Sequence, residues 1–180
     1  MFDSIVHISP AAILANLQDN GLKKGGLGFI EGGVGSGRSQ ILCHIGIMAA
    51  LENHSVLHIT TTQSKEELWQ SYDLLLSQIE KTSPQDLSHA RLLLERNRLI
   101  HSRASLSLES LGSIMDMLAE IEINPEIILL DGVAITEKWR AISQERNINL
   151  WGLGEQAPEQ LETIIQLHIE ETSVRCTLRR

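Results

Sequence analysis

Residues 32–39 read Gly-Gly-Val-Gly-Ser-Gly-Arg-Ser. Four of the first six are glycine, so the backbone there can turn sharply and come close to whatever lies against it. Just before this stretch, Leu27-Gly28-Phe29-Ile30 is a short apolar run suited to a buried strand. Just after it, Gln40 to Leu51 is nearly continuous in apolar and small residues, as a buried helix would be. A strand, a glycine loop and a helix in succession turn backbone N–H groups and a helix N-terminus toward an anion. The spacing matches the nucleotide-phosphate pattern of Gly, four residues, Gly-Lys and Ser or Thr at Gly32, Gly37 and Ser39. Arg38 stands where that pattern has lysine. The expected ligand-binding set is Gly32, Gly33, Val34, Gly35, Ser36, Gly37, Arg38, Ser39 and Gln40. The plainer alternative is a glycine-rich turn between a strand and a helix.

The rest of the chain alternates in the same way. Ser9-Pro10 opens a helix that ends near Asn20-Gly21, with serine as cap and proline in the first turn. Ser55–Thr60 reads as a second strand, and Ser64-Lys65-Glu66-Glu67 matches a capping box whose helix runs to about Gln78. Ser83-Pro84 opens another helix, to about Arg96, followed by a weaker strand at Arg98–Ser102. The segment from Ser107 to Ile121 is amphipathic, with Leu108, Leu111, Ile114, Met115 and Leu118 on one face. Asn124-Pro125 stops it, and Ile127-Ile128-Leu129-Leu130-Asp131 is the clearest buried strand. A short helix near Glu137 to Arg146 leads to a strand at Ile148–Leu153, and Ile164–Ile169 with Val174–Leu178 suits a closing hairpin. This pattern predicts an α/β fold: a mostly parallel sheet flanked by helices, with a C-terminal antiparallel hairpin. Ligands in such sheets bind at the carboxyl ends of strands, where the glycine loop sits.

Composition narrows the classes. With 180 residues there is chain enough for one ordinary domain, and no stretch is long and apolar enough to span a membrane. The N-terminus shows no secretory signal, and Cys43 and Cys176 are far apart with no CxxC spacing, so a cytoplasmic protein with reduced thiols is expected. The formal charge of −8 disfavours a general nucleic-acid coat, although a local basic patch stays open. The seven histidines are scattered, which argues against a dedicated metal site.

Asp131, at the end of an apolar strand about ninety residues past the glycine loop, suits a carboxylate that holds a nucleotide's magnesium, with Ser39 as the hydroxyl partner. An Asp-Gly turn is the alternative. The lead-in Gly21-Leu22-Lys23-Lys24-Gly25-Gly26-Leu27, the strand Val56–Thr60 and the stretch from Ser107 to Asp131 resemble the core of RecA-superfamily P-loop ATPases. The resemblance is to the KaiC, RadA/Sms and DnaB-like branch, and Ser39-Gln40 is similar to recombinase P-loops. It covers most of the chain, but only the glycine loop is specific. It implies one RecA-like P-loop domain over residues 1–180, with 1–26 as an N-terminal helix and lead-in. It also implies ATP and Mg2+ as ligands, and nucleotide at the interface between subunits.

Three departures from that family bear on activity. Arg38 keeps the charge of the loop lysine, but its guanidinium is planar and wider than an ammonium. Thr61, Thr62 and Gln63 stand where the family's catalytic carboxylate follows the second core strand, and none is a base at neutral pH. Glu66 and Glu67 are nearby candidates whose simpler role is capping. The family's polar sensor, usually glutamine, falls at Glu155 or Gln156, and a carboxylate there repels a terminal phosphate. Losing groups that stabilise charge or position water slows phosphoryl transfer by orders of magnitude, whereas binding rests mainly on backbone N–H groups.

The expectation is therefore a nucleotide-binding pseudo-ATPase with slow or absent hydrolysis, acting as a regulatory or scaffolding component of a larger assembly, with a protein partner or as a homo- or hetero-oligomer. The alternatives are an active ATPase of DNA recombination, repair or replication, and a relative that uses the fold for protein contact alone. The connections from Asp131 to Ile148 (sixteen residues) and from Gln156 to Ile164 (seven) are short for DNA-gripping loops, so nucleic acid is disfavoured as a partner. Arg91, Arg96, Arg98 and Arg103 form the main basic concentration, read as a solvated helix face or a partner surface. Arg175, Arg179 and Arg180 are a charged terminus, or would reach a neighbouring subunit's nucleotide in a ring. Trp69, Trp139 and Trp151 read as core or interface anchors.

Overall fold

The computed structural model describes residues 24–82, 87–158, 161, 163–169 and 174–179. The helix expected from Ser9, most of the lead-in, and the Ser83-Pro84 helix start lie outside the described residues. The elements run β1 (Leu27–Gly32), α1 (Arg38–Leu51), β2 (Val56–Thr60), α2 (Lys65–Thr82), α3 (Leu87–Asn97) and β3 (Arg98–Ser102). They continue with α4 (Leu108–Glu120), β4 (Ile127–Asp131), α5 (Lys138–Arg146), β5 (Asn149–Gly154), β6 (Thr163–Ile169) and β7 (Val174–Arg179). The seven strands form one sheet in the order β3-β2-β4-β5-β1-β6-β7. The first six in that order run parallel, and β7 closes the edge as the antiparallel partner of β6. An α/β sheet with a terminal hairpin is thus present. Among the described residues no helix is long and apolar enough to cross a membrane.

Each buried strand is apolar on both sides because helices cover both faces. Ile30, Leu129 and Trp151 pack with Leu42, Leu68, Tyr72 and Leu94 beneath α1, α2 and α3. Their strand neighbours Leu27, Leu57, Ile59, Ile128, Leu130 and Leu150 point the other way, onto Leu111 and Trp139 of α4 and α5. Because side chains alternate along a strand, Asp131 falls on the same side as Leu129, the side that carries α1.

Two differences from expectation have simple causes. Helix α2 continues to Thr82, four residues past Gln78, and no glycine or proline intervenes to stop it before Pro84. The basic concentration is not one surface. Arg91 and Arg96 are exposed, but Arg98 is only 4% exposed. Its guanidinium lies 4.0 Å from the ring centre of Trp69 and 4.2 Å from that of Tyr72, held by cation–π attraction beneath α2. Trp139 and Trp151 are core residues, whereas Trp69 is half-buried and serves as a lid on Arg98. Cys43 is buried and unpaired, as expected of a reduced thiol.

Helix α4 begins where the sequence places it: the Ser107 side chain accepts a hydrogen bond from the Ser110 N–H at 3.1 Å. Ser107→Ala is expected to cost about 1 kcal/mol. Scanning calorimetry should then show the unfolding midpoint lowered by about 2–4 °C.

Candidate nucleotide-phosphate site

At the carboxyl end of β1 the chain enters the glycine loop. Gly35 and Gly37 have φ of +79° and +85°, left-handed values that side-chain-bearing residues rarely adopt. Gly37 then caps α1, which accordingly starts at Arg38 and not at Gln40. No side chain caps this helix and no acidic residue lies in its first turn, so its first N–H groups and its dipole keep their affinity for an anion. Gly33, Val34 and Gly35 are exposed at the loop tip, whereas Ser36 is buried against Gly32 with no partner for its hydroxyl. Gln40 is exposed, its amide oxygen close to Gly37.

Beside the first turn of α1 opens a cavity of about 430 Å³. Arg38 and Ser39 line one side. Thr62, the turn of Asp131, Gly132, Val133 and Ala134, and the end of β5 at Leu153, Gly154 and Glu155 line the rest. Three sequence-predicted residues from separate parts of the chain, Ser39, Asp131 and Glu155, therefore face one space. Asp131 is 2% exposed. Burial pushes its carboxyl above the ordinary aspartate range, and the Ser39 and Thr62 hydrogen bonds and the Arg38 charge offset this only in part. The Gln63 side chain also donates to its Oδ2, at 3.4 Å.

Sheet register explains why Thr62 and Gln63 reach this carboxylate. β2 and β4 are neighbours that end level, with Thr60 opposite Asp131. The chain leaving β2 is pinned across the β4 turn: Thr61 N–H donates to the Asp131 carbonyl at 2.9 Å, and Thr61 Oγ1 to that of Gly132 at 2.8 Å. Gly132 has φ +76°, and a Cβ there would stand 2.4 Å from both Thr61 Oγ1 and Thr62 Cγ2. The Asp-Gly turn and the site-lining aspartate are thus one feature.

Glu66 and Glu67 do not line the cavity. Glu67 completes a capping box: its Oε2 accepts from Ser64 N–H at 2.8 Å, and its own N–H donates to Ser64 Oγ at 3.2 Å. These bonds hold its carboxyl below the usual glutamate range. Of the two sensor candidates, Glu155 lines the cavity, whereas Gln156 is exposed and does not.

Sequence reasoning missed Glu31, the last residue but one of β1. Its side chain accepts from Ala157 N–H at 2.9 Å and from the Gln166 amide at 3.1 Å, tying the segment after β5 to β1 and β6. An acidic residue inside an apolar strand beside the glycine loop was the available signal. Thr62 was noticed only as a residue that cannot act as a base, although it binds Asp131 and lines the cavity.

No protein-family model matches this chain, and no curated protein matches it significantly. Among the described residues no three His, Cys, Asp or Glu side chains come together as a metal site. A magnesium ion that arrives with a nucleotide does not need one, since it takes one or two protein ligands, phosphate oxygens and water.

Proposed function

We propose that this protein binds a nucleoside phosphate, with ATP as the reference ligand, at a RecA-like P-loop site of weak or absent hydrolytic power. It then serves as a regulatory or scaffolding component of a larger protein assembly. The observation that carries this reading is the meeting of Arg38, Ser39 and Asp131 in one cavity, at the uncapped start of α1 and the carboxyl ends of parallel strands. The position is the one where open α/β sheets take ligands. The strand order supports it too, because only β5 separates the strand of the glycine loop from the strand of Asp131. In this reading the loop N–H groups hold the phosphates and Arg38 pairs with them. Ser39 and Asp131, close enough to share a hydrogen bond, hold a magnesium ion that arrives with the nucleotide and neutralises phosphate charge.

The make-up of the cavity wall supports weak turnover. Among the described residues, the carboxylates that line it are Asp131, assigned to the cation, and Glu155, which follows β5 rather than β2. Where a base would orient the attacking water, Thr62 donates to Asp131. Titration of the purified protein with a fluorescent ATP analogue and magnesium tests the reading. Saturable binding is expected, weakened about three- to tenfold by Arg38→Ala, the effect of losing one charge-assisted contact near a surface. No saturation at millimolar nucleotide would leave the loop as a turn between a strand and a helix.

A further inference from the structure

Glu155, the second carboxylate on the cavity wall after Asp131, bears on which nucleotide is held. Arg38 and Ser39 stand at one side, Asp131 at the base, and Glu155 at the end of β5, all facing the same space. Phosphates seated on the loop N–H groups and the start of α1 would place their last member between Arg38 and the strand ends. Asp131 is satisfied there by Ser39 and Thr62, and a cation shared with Ser39 would neutralise it further. Glu155 has no such provision. It is exposed at the cavity wall, one residue past Gly154, and among the described residues Arg38 is the cation that lines the cavity with it.

The position of Glu155 is also not free to drift. The segment that carries it is anchored two residues on, where Ala157 N–H donates to Glu31 at 2.9 Å, and Glu31 is fixed in turn by Gln166. On the other side, Gly154 pairs with Glu31 across the parallel ladder. These contacts fix the backbone on both sides of Glu155, which keeps its side chain at the cavity wall.

We infer that Glu155 makes this a site for a nucleoside diphosphate in preference to a triphosphate. The inference rests on the phosphate-site reading above and adds its specificity. A third phosphate adds negative charge on the Glu155 side of the cavity, whereas a diphosphate ends nearer the loop and Arg38. Two like charges a few ångströms apart at a partly exposed protein site repel by enough to shift an equilibrium constant at least about tenfold. The protein in this state would report on, or be set by, the diphosphate rather than consume the triphosphate.

Isothermal titration with ADP and with ATP, both with magnesium, on the wild type and on Glu155→Gln decides it. The expected result is ADP bound at least about tenfold more tightly than ATP by the wild type, with that ratio narrowing at least about threefold in the variant. Thermal melting of the variant checks that it is folded, as an exposed Glu-to-Gln change should be. ATP bound as tightly as ADP by the wild type would overturn the diphosphate preference while leaving a nucleotide site standing. A preference that Glu155→Gln leaves unchanged would overturn the role of Glu155. Failure of both nucleotides to bind at millimolar concentration would remove the site and the preference together.

Discussion

Lowering the pH from 7 to 4 is expected to destabilise the protein by roughly 3 kcal/mol through His58 alone, at about 1.4 kcal/mol for each unit of displaced titration. His58 lies on β2 with no exposed surface. Its Nδ1 is 2.8 Å from the Tyr72 hydroxyl, while Nε2 has no partner. Burial first, and then the nearby Arg98 charge, pull its pKa from 6.5 to about 3. Between those two values the unfolded chain takes up a proton that the folded chain refuses, so stability is full above the unfolded value and declines as pH falls below it. His44, on α1, is shifted the same way by burial and adds to the loss. Asp131 acts in the opposite sense, since its raised pKa lets the folded state gain a proton first. For a domain whose whole stability is about 5–15 kcal/mol, the His58 loss is a large share. Urea unfolding of the wild type and of His58→Asn between pH 7 and 4 would measure it. The wild-type curve should fall more steeply, by the equivalent of about one proton. Parallel curves would mean that His58 is not the neutral buried group described here.

The same cluster shows what in this fold was legible in the sequence. Ile127 to Leu130 could be read as a buried strand because four apolar residues stand between turn signals, and the glycine spacing marked the loop that leads into α1. Ser64 and Glu67 could be read as a capping box because both partners are local. Arg98 could not be read, because its burial depends on Trp69 and Tyr72, some thirty residues earlier on a helix that crosses the edge strand β3. The tie between Thr62 and Asp131 was hidden for a related reason: it requires β2 and β4 to be neighbours with Thr60 opposite Asp131, and one-dimensional spacing does not supply strand order. Glu31 was likewise invisible as a fastener, since its partners Ala157 and Gln166 are brought to it only when β6 adds beside β1. Local signals fixed the elements and pointed to the residues at their ends. Which of those ends meet was set by the sheet.

Asp131→Asn is expected to leave the ligand-free protein at pH 7 as stable as the wild type or more so, and to weaken magnesium-dependent nucleotide binding by at least about tenfold. The two halves have one cause. Asp131 is buried, and its raised pKa means that the ionised form is disfavoured in the folded state relative to the unfolded one. Stability from this group is therefore lost as pH rises through the folded value and regained as pH falls toward 3.8, the ordinary value. Asparagine keeps the shape, and its carbonyl oxygen still accepts a hydrogen bond, so the variant sheds that penalty while losing the charge a cation requires. Wild-type and variant stabilities should separate at neutral pH and draw together in acid, as urea unfolding can show, while nucleotide titrations with and without magnesium read the second half. A variant destabilised at pH 7 by several kcal/mol, with magnesium dependence intact, would make Asp131 a structural anchor of the turn through Ser39 and Thr62. A variant as stable as the wild type that has lost its magnesium dependence would instead tie the cost of burying this carboxylate to the cation proposed for the site.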